Sequence, residues 1–341
     1  MNMSVKAGGL ELKNPLVLAS ASYSANASGI EKYIRLGFSA VITKTVTRKP
    51  LAGAPPPRIF WYDPNEKRML SGVEALRNPG YEKVCEAIAR CKPLAAQEDC
   101  KIIASLSGQS EQEMAEMARA LESAGADGIE LNLVCPSTGP HLGPDYDRLG
   151  KYWSETPERV ISVISAVKSA VNAPVWAKCT LGSIIKPEFI KEVDAKAPPD
   201  AYAFIGGRMP CLVIDTDTGK PKFPGNTLLR FEKGIPVMPT VTGPVKPSTI
   251  LHTAYLAKIT KTPLICSGGL GKGLDIIEAL MVGASAACIS TAVYRKGDIS
   301  LEILREIQDF MERKGLSSLD SIKGIALQHI PDPPLLKVPG L

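Results

Sequence analysis

The stretch that decides the fold is Pro263-Leu264-Ile265-Cys266-Ser267-Gly268-Gly269, with the segment Leu274 to Val282 and then Ala286-Ala287-Cys288-Ile289-Ser290-Thr291. A short apolar run, a glycine turn, a segment of helical period and a second short apolar run make one strand–helix–strand unit. Neither run alternates polar with apolar, so both strands are buried on two faces, as parallel strands are. Parallel strands need a crossover, which the helix supplies in a right-handed sense.

Upstream the same unit repeats. Apolar runs of strand length stand at Pro15-Leu16-Val17-Leu18, Ala40-Val41-Ile42 and Lys101-Ile102-Ile103-Ala104. They recur at Gly128-Ile129-Glu130-Leu131, Pro174-Val175-Trp176-Ala177 and Ala201-Tyr202-Ala203-Phe204. Helical periodicity fills Ser110 to Ser123, Pro157 to Val171, Pro187 to Ala195 and Pro247 to Ile259, and Leu301 to Arg313 reads as an outer amphipathic helix. Ser110 and Glu113 have the spacing of a capping box, and the helices opening on Pro suit that residue's preference for the first turn. Eight such strands predict a closed (β/α)8 barrel of the TIM type rather than an open doubly wound sheet. The barrel is expected over residues 1–325, with a tail over 326–341.

Two intervals are longer than a plain connection, Thr47 to Tyr81 after strand two and Arg208 to Pro239 after strand six. Loops that follow barrel strands gather on the C-terminal face, where barrel active sites are built. The first carries Pro50, Pro55, Pro56 and Pro57 and fits either an active-face loop or a surface excursion. In the second, residues 213–220 read as a small hairpin turn.

Composition narrows the function. Of 341 residues 45% are hydrophobic and 22% charged, an ordinary globular balance, and the net charge of +5 is spread without a basic tract that nucleic acid would need. No apolar run reaches membrane-spanning length. The N-terminal residues read as the start of the fold and not as a signal peptide, so a cytoplasmic protein with reduced thiols is expected. The eight cysteines include no Cys-x-x-Cys pair, which argues against a zinc or iron–sulfur site, and no metal is expected.

Chemistry concentrates at strand ends. Glu130-Leu131-Asn132-Leu133-Val134-Cys135-Pro136-Ser137 closes strand four with a cysteine where a reacting group would stand. Cys85, Cys179, Cys266 and Cys288 lie in or beside apolar elements and read as small core residues. Ser267-Gly268-Gly269 and Ser290-Thr291 follow strands seven and eight, the usual phosphate-binding loops of such barrels. Gly269-Leu270-Gly271-Lys272-Gly273 matches neither dinucleotide nor P-loop spacing.

Taken in order, Asn14-Pro15, Ala19-Ser20, Ile42-Thr43-Lys44-Thr45, Leu131 to Pro136, Ala177-Lys178, Thr242-Gly243 with Lys246-Pro247, Ser267-Gly268-Gly269 and Ser290-Thr291 resemble the class 1 dihydroorotate dehydrogenases and their relatives, including the catalytic domain of dihydropyrimidine dehydrogenases. The resemblance spans roughly residues 8–325. It implies a barrel that binds flavin mononucleotide (FMN). In it Ala19, Ser20, Lys44 and Thr45 line the flavin, Asn132 and Lys178 bind its ring or ribityl region, and Gly243, Gly268, Gly269, Ser290 and Thr291 hold ribityl and phosphate. Cys135 is implied as the acid/base toward a small cyclic substrate whose hydride passes to flavin N5, with Lys44 or Lys178 stabilising the reduced flavin. A homodimer is implied as well.

The substrate residues depart from the family. Ser137 stands where an asparagine is usual, Ile205-Gly206-Gly207 replaces an amide-bearing pair after strand six, and Met69-Leu70-Ser71-Gly72 replaces an Asn-Ser segment. Each lost amide leaves a substrate group unsatisfied at about 1–3 kcal/mol, which tells against dihydroorotate itself. Ser71, Ser137 and Arg208 become the candidate substrate contacts, with His141, Tyr146 and Arg148 in the loop after Cys135. Two other readings stand beside this one: a dihydropyrimidine dehydrogenase-type subunit acting on uracil-like rings, with an electron-transfer partner subunit, and a non-redox barrel that binds a phosphate ester.

Overall fold

The computed structural model describes residues 1–53, 58–61, 70–72, 74–135, 147–206, 209–210, 217–219, 240–242 and 245–332. Eight parallel strands close into a barrel in chain order: Leu16–Leu18, Ala40–Ile42, Lys101–Leu106, Gly128–Leu133, Val175–Cys179, Ala201–Ile205, Leu264–Ser267 and Ala286–Ile289. The last strand pairs with the first, Cys288 beside Val17, which seals the ring. These are the eight apolar runs of the sequence. Most of their side chains are fully buried, because helices cover the outer face while the interior is packed.

The helices form where their caps and periods place them. Ser110 accepts the Glu113 N–H at 3.1 Å and opens Glu111–Ser123. The Glu113 carboxylate is held by the backbone of Gln109, so only one half of the capping box is seen. Pro157–Lys168 starts with Pro in its first turn behind Thr156, whose hydroxyl accepts from Arg159. Pro187–Lys196, Lys246–Ile259, Gly273–Met281 and Ile299–Lys314 match the remaining expectations. Ala27–Arg35 and Tyr81–Gln97 complete the outer layer, and the second carries Pro93 inside its run.

The N-terminal hairpin, Val5–Ala7 with Leu10–Leu12, lies against the N-terminal ends of strands five and six. Its tip rests on strand five, where the Trp176 indole donates to the Gly8 carbonyl at 2.8 Å.

The two long insertions meet on the C-terminal side. Ile59–Trp61 and Leu70–Gly72 come from the strand-two loop, and Thr240–Thr242 and Met209–Pro210 from the strand-six loop. Together they make one four-stranded antiparallel sheet, in which Ser71 sits opposite Val241. The strand-two insertion is therefore tied to the active face. The expected hairpin over 213–220 lies largely outside the described residues, with only a turn at Asp217 to Gly219 described. Among the described residues no helix is long and apolar enough to cross a membrane.

Candidate active site

Barrel strands alternate inward and outward side chains, so Glu130 and Asn132 share a face of strand four. Lys178 lies in register with Asn132 on strand five. The Lys178 ammonium reaches the Glu130 carboxylate at 2.6 Å, and the two side chains are 12% and 2% exposed. The Ser105 hydroxyl donates to the same Glu130 oxygen at 2.8 Å and contacts the Thr45 hydroxyl at 2.8 Å. Thr45 in turn meets Ser20 through its backbone N–H at 3.0 Å and its hydroxyl at 3.2 Å. A buried polar chain thus crosses the barrel mouth from strand one to strand five. Every member is paired, as a low-dielectric interior requires.

Asn132 joins this chain to the cysteine loop. Its amide N–H₂ donates to Thr45 at 3.0 Å, and its carbonyl oxygen accepts the N–H groups of Val134 and Cys135 at 3.2 and 3.0 Å. Cys135 is held by its backbone and leaves its side chain half-buried against Leu51, Leu76 and Leu149.

Several other thiols are buried. Burial pushes Cys91 up to about 11 and Cys100, Cys179 and Cys266 up to about 12. At pH 8 a thiol at about 12 is roughly one part in ten thousand thiolate, too little to react. Among the described cysteines, alkylation of the native protein is therefore expected at half-buried Cys135 and Cys85, with these four and the buried Cys288 silent until the chain unfolds. Peptide mapping by mass spectrometry after brief labelling checks this, and early label at Cys179 or Cys266 would contradict it.

Lys44, at the end of strand two, is not a solvated residue. Its ammonium lies 2.6 Å from the Glu74 carboxylate, with side chains 7% and 23% exposed. The Ser22 hydroxyl donates to the other Glu74 oxygen. Burial raises the Glu74 carboxyl, but the Lys44 charge and hydrogen bond, Ser22 and the charge of Arg58 more than offset it, leaving it below its ordinary value. Burial and the Glu74 charge together push the Tyr294 phenol up.

The strand-seven and strand-eight loops are fixed by neighbours. Gly268 and Gly269 take φ of 123° and 70°, which side-chain-bearing residues rarely adopt. The Thr249 hydroxyl donates to the Gly268 carbonyl at 2.8 Å, and Ser248 and His252 donate to Gly206 O at 2.7 and 3.1 Å. A Cβ on Gly206 would sit 2.4 Å from the Thr249 Cα, so the strand-six loop packs against this helix only as glycine. Tyr23 links the first and last loops: its hydroxyl donates to Ala19 O at 2.9 Å, and the Ser290 side chain bonds it. Thr291 opens the short helix Thr291–Arg295.

The structure therefore brings Ala19, Ser20, Lys44, Thr45, Asn132, Cys135, Lys178, Gly268, Gly269, Ser290 and Thr291 to one end of the barrel. Gly243, Ser137, Arg208, His141 and Tyr146 lie outside the described residues, as does the Ser71 side chain. Arg148 is exposed and lies over the Tyr152 ring. Glu74, Glu130 and Tyr23 are the contributors that sequence reasoning did not assign. Among the described residues, no three His, Cys, Asp or Glu side chains gather as a metal-holding group.

The residues present fit a flavin nucleotide. Two largely buried ammonium groups, an amide and two hydroxyls stand at the mouth of the barrel, at the same end as two positive-φ glycines. Comparison with known proteins agrees. The family model for dihydroorotate dehydrogenase matches residues 2–200 and 234–311. A relative from Methanosarcina acetivorans, the catalytic subunit of dihydroorotate dehydrogenase B (NAD(+)), is 31% identical over 328 residues, covering 94% of this chain and 95% of that protein. The protein of the same name from Thermoanaerobacter pseudethanolicus is 28% identical over 331 residues, covering 95% and 98%. The crystal structure of the Eimeria tenella dihydroorotate dehydrogenase in complex with ferulenol superposes with a TM-score of 0.75 at 17% identity, covering 97% of this chain and 89% of that one, a likeness of fold. A barrel so matched along its length, with its polar chain and cysteine at one mouth, belongs to the dihydroorotate dehydrogenase family, the FMN-dependent oxidoreductases that act on CH–CH bonds.

Proposed function

We propose that the chain is the catalytic subunit of an FMN-dependent dehydrogenase that interconverts a CH–CH bond and a C=C bond in a small cyclic substrate, with Cys135 as the acid/base. The carrying observation is Asn132, whose amide is bonded at once to Thr45 of the flavin-lining set and to the backbone of Cys135. One side chain thereby fixes the distance between the cradle and the reacting thiol. When bound, FMN supplies the hydride acceptor at N5. Cys135 takes the proton from the neighbouring ring carbon as the double bond forms, and returns it in the reverse direction. Ala19, Ser20, Thr45, Asn132 and Lys178 would hold the isoalloxazine and ribityl portions, and Gly243, Gly268, Gly269, Ser290 and Thr291 the chain and phosphate. Lys44 would line the flavin as well, where its charge would stabilise the reduced ring. Ser71, Ser137 and Arg208 remain the proposed substrate contacts, on the two inserted loops and the loop after Cys135.

The non-redox, phosphate-ester reading gives way to family membership. The uracil-ring reading is favoured by one observation, the Glu74 partner of Lys44, taken up below. The curated relatives are named as catalytic subunits of an NAD(+) enzyme, which supports a separate electron-accepting subunit for this chain too. A homodimeric catalytic unit belongs to the same reading.

Anaerobic visible spectroscopy tests it. The purified protein should be yellow, and its flavin band should bleach on addition of L-dihydroorotate or 5,6-dihydrouracil. A protein that takes up no FMN, or whose flavin stays oxidised with every cyclic amide tried, would overturn the assignment.

A further inference from the structure

Among the described residues, each buried ammonium at this end of the barrel already faces a carboxylate, and the Arg58 charge also acts on one of those carboxylates. Lys178 has Glu130, and Lys44 has Glu74, both at 2.6 Å and both withdrawn from water. The Glu74 contact is built at some conformational cost. The two residues that follow it, Ala75 and Leu76, hold φ of 48° and 54°, in the left-handed region that side-chain-bearing residues rarely adopt. Such strain persists only where the surroundings over-determine it. Here Asn78 does so: its amide donates to Leu76 O at 2.9 Å and Thr47 Oγ1 at 3.0 Å, and its oxygen accepts from Gly80 N at 2.9 Å and Thr47 N at 3.2 Å. Asn78 is itself buried, so the turn is locked from behind. The turn delivers a carboxylate to an ammonium that already stands at the barrel mouth.

A ring carrying its own carboxylate meets this arrangement badly. A carboxylate placed at Lys44 must displace Glu74 from it, or add a second anion beside it where like charges are weakly screened and the Arg58 charge offsets only part of the repulsion. A ring with only N–H and C=O groups meets no such conflict, and finds in Glu74 an added acceptor for an N–H.

We propose that Glu74 is the specificity-determining residue of this site: by holding Lys44 it selects an uncharged cyclic amide over the same ring bearing a carboxylate. This deepens the functional reading above and rests on it.

Equilibrium binding to the oxidised, FMN-loaded protein separates the two. Uracil and orotate differ by one carboxylate, and each is titrated by calorimetry with the flavin absorbance followed in parallel. The wild-type protein is expected to bind uracil at least tenfold more tightly than orotate. Glu74→Gln keeps shape and hydrogen-bonding capacity but removes the charge, and should narrow that ratio tenfold or more, chiefly by tightening orotate. Equal or tighter orotate binding by the wild type overturns the assignment without need of a variant. An unchanged ratio in a folded, yellow Glu74→Gln protein overturns it as well. If neither ring binds or perturbs the flavin, the ring-substrate reading itself falls and takes this inference with it.

Discussion

Cys135→Ser is expected to slow flavin reduction by substrate by about 10²- to 10⁴-fold, the range a positioned acid/base supplies, with flavin content unchanged. A serine hydroxyl is far harder to ionise than a thiol, so much less of the proton-accepting form is present near neutral pH. The substitution should be silent for the fold. Asn132 grips the backbone N–H at this position and not the side chain, which is half-buried and packs against Leu51, Leu76 and Leu149. Stopped-flow bleaching under anaerobic conditions reads the rate, and absorbance of the protein as purified reads the flavin. A rate within a factor of a few of wild type would remove Cys135 from the mechanism. Loss of flavin would instead make it a structural residue.

The second large effect lies one strand away. Lys178→Met leaves the Glu130 carboxylate, 2% exposed, with the Ser105 hydroxyl as its one remaining hydrogen-bond donor among the described residues. Breaking a buried pair on one side costs about 3–5 kcal/mol, because the remaining charge is stranded. Guanidinium unfolding should show that loss, together with weakened FMN retention. Replacing both partners, Glu130→Leu with Lys178→Met, is expected to recover most of the stability but none of the FMN affinity. The pair would then be a feature of binding and not of folding. A single variant as stable as wild type would mean that water reaches Glu130 despite its burial.

Much of this was legible in the chain. All eight strands could be read because two-sided burial writes them as short, unbroken apolar runs, as in Ala40-Val41-Ile42 and Ala286 to Ile289. The strand ends could be read too, since Lys44, Asn132, Cys135 and Lys178 each interrupt or close such a run. The helix Tyr81–Gln97 was obscured by Pro93, which marks a break elsewhere but is accommodated here. The inserted sheet left no trace, because its strands have two or three residues and pair across most of the barrel. Glu74 was illegible for a related reason. A carboxylate in a loop reads as solvated, and only the turn at Ala75 and Leu76 carries it to Lys44. Glu130 stood in plain view on strand four, yet a lone acid in a strand names no partner until the register with strand five is known.

The ladder between Leu70–Gly72 and Thr240–Thr242 has a meaning for how such an enzyme can be altered. Two loops that leave different strands, and would ordinarily vary apart, are stitched into one surface by main-chain bonds. In such a ladder a shift of one residue would turn Ser71 to the opposite face. Transplanting the strand-two loop from a relative would import a side chain set without the edge that aligns it. For anyone redesigning this pocket, and for the history that shaped it, the unit of inheritance is the pair of loops.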